Sequence, residues 1–217
     1  AISDNIVVGN ITQGIRVQPL TEIGTSSSVV TGNNLSNIGN ASTNSGIFID
    51  HDTTGTVNSS GVIVSDNIIS GDYEYGIYVL ASDNAINNLV VSGNTFGDSA
   101  TTTGIYVRSQ SGASISNLSI NGNVVPSTGS QGIYLFAAGS TGDIAKGTIT
   151  GNTIGPATFG IRLIKTSDIV ISGNQNQGTS RKVHTTTTTG TVIDQSASPI
   201  ITMTNSSYTV LQDAEYL

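Results

Sequence analysis

The chain has 217 residues, of which only 10% are charged, and its formal net charge is −7. It contains no Cys and no Trp, and Gly, Ser, Thr and Asn dominate its composition. The acidic balance without a basic stripe argues against a nucleic-acid partner, and the lack of a long apolar run argues against membrane insertion.

A short motif, Gly-Ile-x-aliphatic, recurs from near the start of the chain. Its glycines are 32, 30, 28, 28 and 28 residues apart, and periods of this length are typical of stacked structural units. Each copy supplies one short strand. The six copies are Gly14–Val17, Gly46–Ile49, Gly76–Val79, Gly104–Val107, Gly132–Leu135 and Gly160–Leu163.

A second signature is centred on a repeated Asn, as in Ser92-Gly93-Asn94. Aliphatic residues stand three positions before this Asn, and apolar residues stand two positions after it except in the first and last copies. Polar residues between them give the period of two that is typical of strands. We predict that the Asn lies at a bend between two strands, tolerates left-handed backbone angles there, and bonds to the same Asn one coil away. This structural Asn ladder comprises Asn10, Asn33, Asn67, Asn94, Asn123, Asn152 and Asn174.

Each unit therefore holds about three strands, and stacking pairs each strand with its equivalent about 4.8 Å above and below. This pattern predicts an all-β fold, a right-handed single-stranded parallel β-helix of about six to seven coils over residues 1–176. Residues 177–217 lack the repeat and are expected to form an extended β-rich tail that cannot continue the coil, either a cap or an inter-subunit region. Because the chain begins inside a coil, we expect it to be a fragment of a longer protein.

The paired signatures, Ser92-Gly93-Asn94 and Gly104-Ile105-Tyr106-Val107, resemble the coils of the pectate-lyase-like β-helix superfamily. Within it, residues 1–176 are most similar to the β-helices of phage tailspikes and capsule depolymerases. The resemblance implies an extracellular protein of a virion tail, or one secreted or held at a cell surface, that works as a homotrimer on polysaccharide. The same coil serves lyases, hydrolases, epimerases and inert fibres, so the resemblance alone does not decide the activity.

The third residue of the Gly-Ile-x-aliphatic strand is expected to face outward, because its neighbours face the core. Stacked coils then bring four aromatic side chains into one exposed column between Arg16 and Arg162. Flat rings suit the apolar faces of sugars, and polar groups suit their hydroxyls. In the alternative, the rings stack on one another or contact a subunit or loop. The predicted glycan-binding residues are Phe48, Tyr78, Tyr106, Arg108 and Tyr134.

Cleavage of a glycosidic bond requires two carboxyl groups, one acid and one base or nucleophile, about 5 to 10 Å apart. The candidate catalytic residues are Asp50, Asp52 and Glu74. Asp50 lies at the exit of one strand, and Glu74 lies at the entry of the equivalent strand in the next coil. About six residues along a strand correspond to about 20 Å, which is too far for a pair, so Asp50 and Asp52 form the better pair. Adjacent acids in turns are more often solvated turn formers.

Other chemistry has weaker support. Asp50 and His51 beside Tyr78 resemble an alginate-epimerase site only in part, because a Pro separates the acid from the His in those sites. His184 is expected to be solvated in the polar tail. No metal-ligand cluster, phosphate loop or nucleotide fingerprint appears in the sequence, so we predict no metal and no cofactor.

The function predicted from these features is binding of a host cell-surface polysaccharide, with depolymerisation, by a glycosidase or a lyase, left open. One alternative is a non-catalytic β-helical shaft or adhesin segment whose aromatic column lies between subunits. A second alternative is a secreted lyase or epimerase that acts on uronate polysaccharides.

Overall fold

In a computed structural model, the chain consists of short strands connected by turns. It describes residues 1–18, 26–38, 44–51, 58–97, 102–110, 112–138, 143–177, 181–194, 201–204 and 208–211. Asp52 lies outside these residues. None of the described segments forms a helix with the length and apolarity needed to cross a membrane.

The strands follow one another around the coil in chain order. The first three coils contain β1 (Ile2–Ser3), β2 (Ile6–Ile11), β3 (Gln13–Val17), β4 (Ser26–Thr31), β5 (Asn34–Ile38), β6 (Ser45–His51), β7 (Ser59–Ser65), β8 (Ile68–Gly71) and β9 (Tyr75–Ala81). The next three contain β10 (Ile86–Asn87), β11 (Leu89–Ser92), β12 (Thr95–Phe96), β13 (Thr103–Ser109), β14 (Ser114–Asn121), β15 (Val124–Val125), β16 (Gln131–Ala137), β17 (Asp143–Thr150), β18 (Thr153–Ile154) and β19 (Phe159–Ile164). The remaining strands are β20 (Thr166–Ser172), β21 (Gln175–Asn176), β22 (Arg181–Thr186), β23 (Thr191–Asp194), β24 (Ile201–Thr204) and β25 (Tyr208–Leu211).

Equivalent strands of successive coils stack into three parallel sheets. The first sheet has the order β1-β4-β7-β10-β14-β17-β20-β23-β25, with β11 pairing β7 and β14. The second has the order β2-β5-β8-β12-β15-β18-β21, and the third runs β3-β6-β9-β13-β16-β19-β22-β24. From β1 to β22 each coil thus passes through the three sheets in turn, with β10 and β11 dividing one first-sheet strand, which confirms the predicted all-β parallel β-helix.

Alternate residues of each strand fill a continuous apolar interior. In the third sheet the Ile of the repeated motif is fully buried in five successive coils, and it stacks in register on the Ile above and below. The first and second sheets close the other sides of this interior with their own inward aliphatic residues. The five stacked residues are Ile47, Ile77, Ile105, Ile133 and Ile161.

The glycine of the motif is required by the corner between the second and third sheets. A Cβ atom on Gly104 would lie 2.5 Å from Cγ1 of Val125 and 2.8 Å from the carbonyl oxygen of Gly132. The approach of these sheets therefore leaves no room for a side chain, and this sterically explains why glycine recurs at the position.

A ladder of Asn side chains runs along the corner between the first and second sheets. The Asn94 side-chain amide donates to Oδ1 of Asn123 at 2.9 Å and to the backbone oxygen of Val64 at 2.9 Å. The backbone N–H of Asn94 also donates to Asn123 Oδ1, at 3.0 Å. This pattern satisfies buried polar groups that the turn would otherwise leave unpaired. The rungs are Asn5, Asn33, Asn67, Asn94, Asn123, Asn152 and Asn174.

The first rung corrects the prediction in two respects. Asn5, not Asn10, donates to Asn33, and Asn10 lies within strand β2. Asn5 occurs in Ser3-Asp4-Asn5-Ile6, which repeats the Ser-Asp-Asn-Ile segment around Asn67. In addition, the left-handed backbone angle belongs to the residue before the Asn, with φ 57° at Asp4 and 64° at Gly93. The Asn contributes hydrogen bonds rather than an unusual backbone angle.

The expectation that residues after Asn174 cannot continue the coil is wrong. Strand β22 pairs in register with β19, and β23 pairs with β20. The tail keeps only part of the aliphatic pattern, with Val183 stacked on Ile161 and Ile193 on Ile171, and its backbone still offers the N–H and C=O groups that parallel pairing needs. The stacked sheets therefore extend beyond the last recognisable repeat.

Candidate functional site

Aromatic and arginine side chains cluster on the outer surface of the third sheet. Because strand residues alternate, the position between two inward aliphatics points away from the core. Strands β3, β6, β9, β13, β16 and β19 pair without a shift at these positions, so outward residues form columns. We call this surface the aromatic face. It comprises Arg16, Phe48, Tyr75, Tyr78, Tyr106, Arg108, Tyr134, Phe136, Phe159 and Arg162.

The central column of the aromatic face is a stack of four parallel rings. Ring centroids are 4.9 Å apart for Phe48 and Tyr78, 5.0 Å for Tyr78 and Tyr106, and 4.9 Å for Tyr106 and Tyr134. The interplanar angles are only 7°, 8° and 10°. Each ring face is thus covered by the next ring, so the predicted alternative in which the rings stack on one another describes the geometry.

Arginines cover the two ends of the stack. The Arg16 guanidinium lies 5.4 Å from the Phe48 ring centre, and the Arg162 guanidinium lies 5.0 Å from that of Tyr134. Cations over ring faces are attracted by the ring quadrupole, which holds both guanidinium groups in place. The rings consequently present edges and hydroxyls, rather than flat faces, to a ligand.

Tyr75 belongs to the aromatic face but was missed by the sequence analysis. It opens strand β9, and its ring packs 5.1 Å from Tyr78 and 5.2 Å from Tyr106 at tilted angles. Burial raises the pKa of the Tyr75 hydroxyl, and its hydrogen bond with the Glu74 carboxylate acts in the same direction. The available signal was the column of residues just before the motif glycines, where Tyr75 and Phe159 occur.

Arg108 connects several rings of the aromatic face. Its guanidinium donates a hydrogen bond to the Tyr78 hydroxyl and lies 5.8 Å from the Phe136 ring centre. Burial raises the pKa of Tyr78, and the positive charge of Arg108 opposes that rise. The predicted glycan-binding residues Phe48, Tyr78, Tyr106, Arg108 and Tyr134 are therefore gathered on one surface, and their role in binding stays a prediction.

The candidate carboxylates are not brought together. Asp50 is only 3% exposed and forms an ion pair with Arg16. It pairs in register with Leu80, whereas Glu74 precedes Leu80 by six residues, about 20 Å along a strand. This backbone spacing is longer than the separation of carboxyl groups that acid–base cleavage requires. The catalytic role of Asp50, Asp52 and Glu74 stays a prediction.

The two histidines occupy positions that their sequence neighbours do not suggest. His51 is fully buried, its Nε2 lies 2.7 Å from the Ser59 hydroxyl, and burial lowers its pKa. It points to the interior while Asp50 lies on the outer face, so the two do not form one site. The expectation that His184 is solvated is wrong, because it is 8% exposed and stacks 5.1 Å from Phe159.

Within the described parts of the chain, no three His, Asp or Glu side chains converge as a metal site would require.

The chain matches a known protein family. The family model described as a right handed beta helix region matches residues 45–212. This range includes the strands that lie beyond the recognisable repeat, in agreement with the extension of the sheets. No curated protein and no solved structure matches the chain.

Proposed function

Because the chain belongs to the right-handed β-helix family, we propose that it binds an elongated polysaccharide along its aromatic face. The observation that supports this proposal most directly is the linear array of phenol hydroxyls and guanidinium groups across successive coils. These groups run parallel to the axis of the solenoid, which suits a ligand that is itself a linear polymer. The proposal concerns binding, and whether the chain also cleaves its ligand is a separate question for an activity assay.

The mode of binding follows from the stacking. Sugar rings cannot lie flat on Tyr78 or Tyr106, because both faces of each ring contact another ring. Recognition instead uses hydrogen bonds between sugar hydroxyls and the tyrosine hydroxyls, with Arg108 as a further donor. The stack fixes these groups in advance, so binding costs little side-chain entropy.

The test replaces hydroxyls without disturbing the rings. Tyr78→Phe and Tyr134→Phe keep the stack, and each should weaken retention on polysaccharide about fivefold, the effect of losing one hydrogen bond worth about 1 kcal/mol. Ile68→Ser serves as the control, because Ile68 is 51% exposed on the second sheet, away from the aromatic face. Unchanged retention for both tyrosine variants would remove the proposal.

We further propose the narrower role suggested by the coil motif, that of a phage tailspike-like, extracellular homotrimer that recognises a host surface glycan. Exposed aliphatic side chains on the outside of the first sheet support self-association, since Ile63 and Val170 are 39% and 38% exposed, although Ser119 and Thr148 lie between them in the same column. Light scattering should then give three times the mass of one chain. A reducing-sugar assay with the same glycan separates binding from depolymerisation.

A structural shaft is the second candidate. It is favoured by the burial of Phe48 and Tyr106, which are only 9% and 7% exposed, as expected for a stack that stiffens the solenoid. A shaft would tolerate Tyr78→Phe and would bind no polysaccharide, so the retention experiment separates the two functions.

A further inference from the structure

We infer that Arg108, Tyr134 and Arg162 form an anion subsite, which takes the carboxylate or sulfate of an acidic sugar within an otherwise neutral glycan. This inference rests on the proposed polysaccharide binding and specifies its substrate class. It places the acidic sugar at the C-terminal half of the aromatic face.

The first support is that the arginines at the two ends of the aromatic face differ in whether they form an ion pair. Arg16, at the N-terminal end of the ring stack, is neutralised by its ion pair with Asp50. Arg108 and Arg162 form no ion pair with any described carboxylate, and the Nε atom of each is buried without a hydrogen-bond partner. Both side chains are half-buried, so each keeps part of its surface for a ligand. Partly desolvated cations that lack a counter-ion attract an anion strongly.

The second support is that the two cations lie against neighbouring rings and that both of their charges act on the Tyr134 hydroxyl. The Arg162 guanidinium lies 5.0 Å from the ring centres of both Tyr134 and Phe159. Arg108 lies over Phe136, whose ring stacks 5.7 Å from Tyr134. Burial raises the pKa of Tyr134, and the charges of Arg162 and Arg108 both oppose that rise. The Tyr134 hydroxyl therefore lies within the field of both guanidinium groups and can donate to an anion held there.

The opposite half of the aromatic face has the opposite charge. Arg16, Asp50 and Glu74 carry +1, −1 and −1, a sum of −1, whereas Arg108 and Arg162 sum to +2. Asp50 and Glu74 both raise the pKa of the Tyr78 hydroxyl, whereas the hydrogen bond and charge of Arg108 oppose them more strongly, so the two charge regions meet at the centre of the stack. A polymer with a negative charge on every sugar would be repelled by the N-terminal half. A polymer in which acidic and neutral sugars alternate fits both halves.

The experiment compares three soluble polymers: hyaluronan, in which uronate alternates with a neutral sugar, polygalacturonate, with uronate at every sugar, and neutral dextran. Affinities are measured by calorimetry on the full chain at low and high salt. We expect the order hyaluronan, then polygalacturonate, then dextran, with the hyaluronan affinity falling as salt rises. Arg108→Gln and Arg162→Gln should each weaken hyaluronan binding about tenfold, as expected for loss of a charged hydrogen bond, and leave dextran binding within twofold.

The matched control is Lys146→Gln, which removes one positive charge from an exposed position on the first sheet. It should leave all three affinities unchanged, and circular dichroism should show native β-structure for each variant. Equal weakening of hyaluronan and dextran by the arginine variants, or no preference for the acidic polymer, overturns the anion subsite while leaving polysaccharide binding intact. Failure of the wild-type chain to bind any of the three polymers overturns both.

Discussion

The central coils, from β9 to β19, and the C-terminal strands β20 to β23 share one backbone arrangement but fill their interiors differently. In the central coils, Leu135 and Leu163 are fully buried and stack on each other. In the next coil the register partner of Leu163 is Thr185, and the partner of Ile154 is Asn176. Two aliphatic columns thus end in these strands, whereas the columns of Ile161 and Ile171 continue into Val183 and Ile193. Parallel pairing persists with fewer inward aliphatic side chains, which should lower the stability of this region.

The polar side chains within the interior of the C-terminal coils carry a cost. Thr185 and Thr191 are fully buried, and their hydroxyl oxygens have no hydrogen-bond partner. A buried hydroxyl without a partner costs about 1–3 kcal/mol relative to water. The C-terminal coils should therefore be the less stable region, and exchanging side chains between the two regions tests this directly.

The largest change in stability is expected when an aliphatic inward side chain of a central coil is replaced by a polar one, as in the C-terminal coils. Leu135→Thr removes a fully buried aliphatic side chain and introduces a buried hydroxyl, which should lower the free energy of unfolding by about 4 kcal/mol. Denaturant titration followed by circular dichroism measures the loss. Val124→Thr, at a site 39% exposed on the second sheet, is the control and should cost under about 0.5 kcal/mol. Similar costs for both variants would contradict the view that the aliphatic interior supplies the stability.

A smaller effect is expected from interrupting the Asn ladder. Asn123 donates to Asn152 and to two backbone oxygens, and it accepts from Asn94. Asn123→Ala leaves buried groups of Asn94 unpaired, so the free energy of unfolding should fall by about 3 kcal/mol. Asn5→Ala, at the exposed first rung, should cost about 0.5 kcal/mol. Thermal melting of the two variants measures the difference. Equal losses of stability would contradict the view that a buried rung of the ladder contributes more than the exposed first rung.

The sequence allowed prediction of the repeated strands, because alternation and a period near 28 residues are local properties of the chain. It misled at Asn10, because Val-Val-Gly-Asn has the local form of a ladder segment, and pairing with the second coil selected Asn5 instead. It also misled after Asn174, because β22 and β23 each keep a single fully buried aliphatic residue, Val183 and Ile193, which is too little of the repeat to recognise in the sequence. Neither register is encoded within a single unit; both arise from contacts between units.

The aromatic face also has features that follow from the local sequence and features that depend on contacts between coils. The column of Phe48, Tyr78, Tyr106 and Tyr134 follows from alternation and could be predicted. The coverage of each ring by the next depends on the distance between coils, and the position of Tyr75 depends on the corner before the glycine. These are tertiary features, and they change the expected chemistry from flat stacking surfaces to ring edges and hydroxyls.

The smallest change in stability, and one of opposite sign, is expected when a polar inward side chain of a C-terminal coil is replaced by an aliphatic one, as in the central coils. Thr185→Val replaces a fully buried hydroxyl that lacks a partner with a methyl group of similar size. Removal of its desolvation cost should raise the free energy of unfolding by about 1 kcal/mol, measured as a higher denaturant midpoint with an unchanged slope.

The matched control for this change is Thr103→Val. Thr103 is equally buried, but its hydroxyl donates to Oε1 of Gln131 at 2.8 Å. The same chemical change there leaves the buried Gln131 oxygen without its donor and should lower the free energy of unfolding by about 1 kcal/mol. Opposite signs at Thr185 and Thr103 would assign the difference to hydrogen bonding. A loss at both positions would mean that the Thr185 hydroxyl is satisfied in solution, and the C-terminal interior would then be as well matched as the central one.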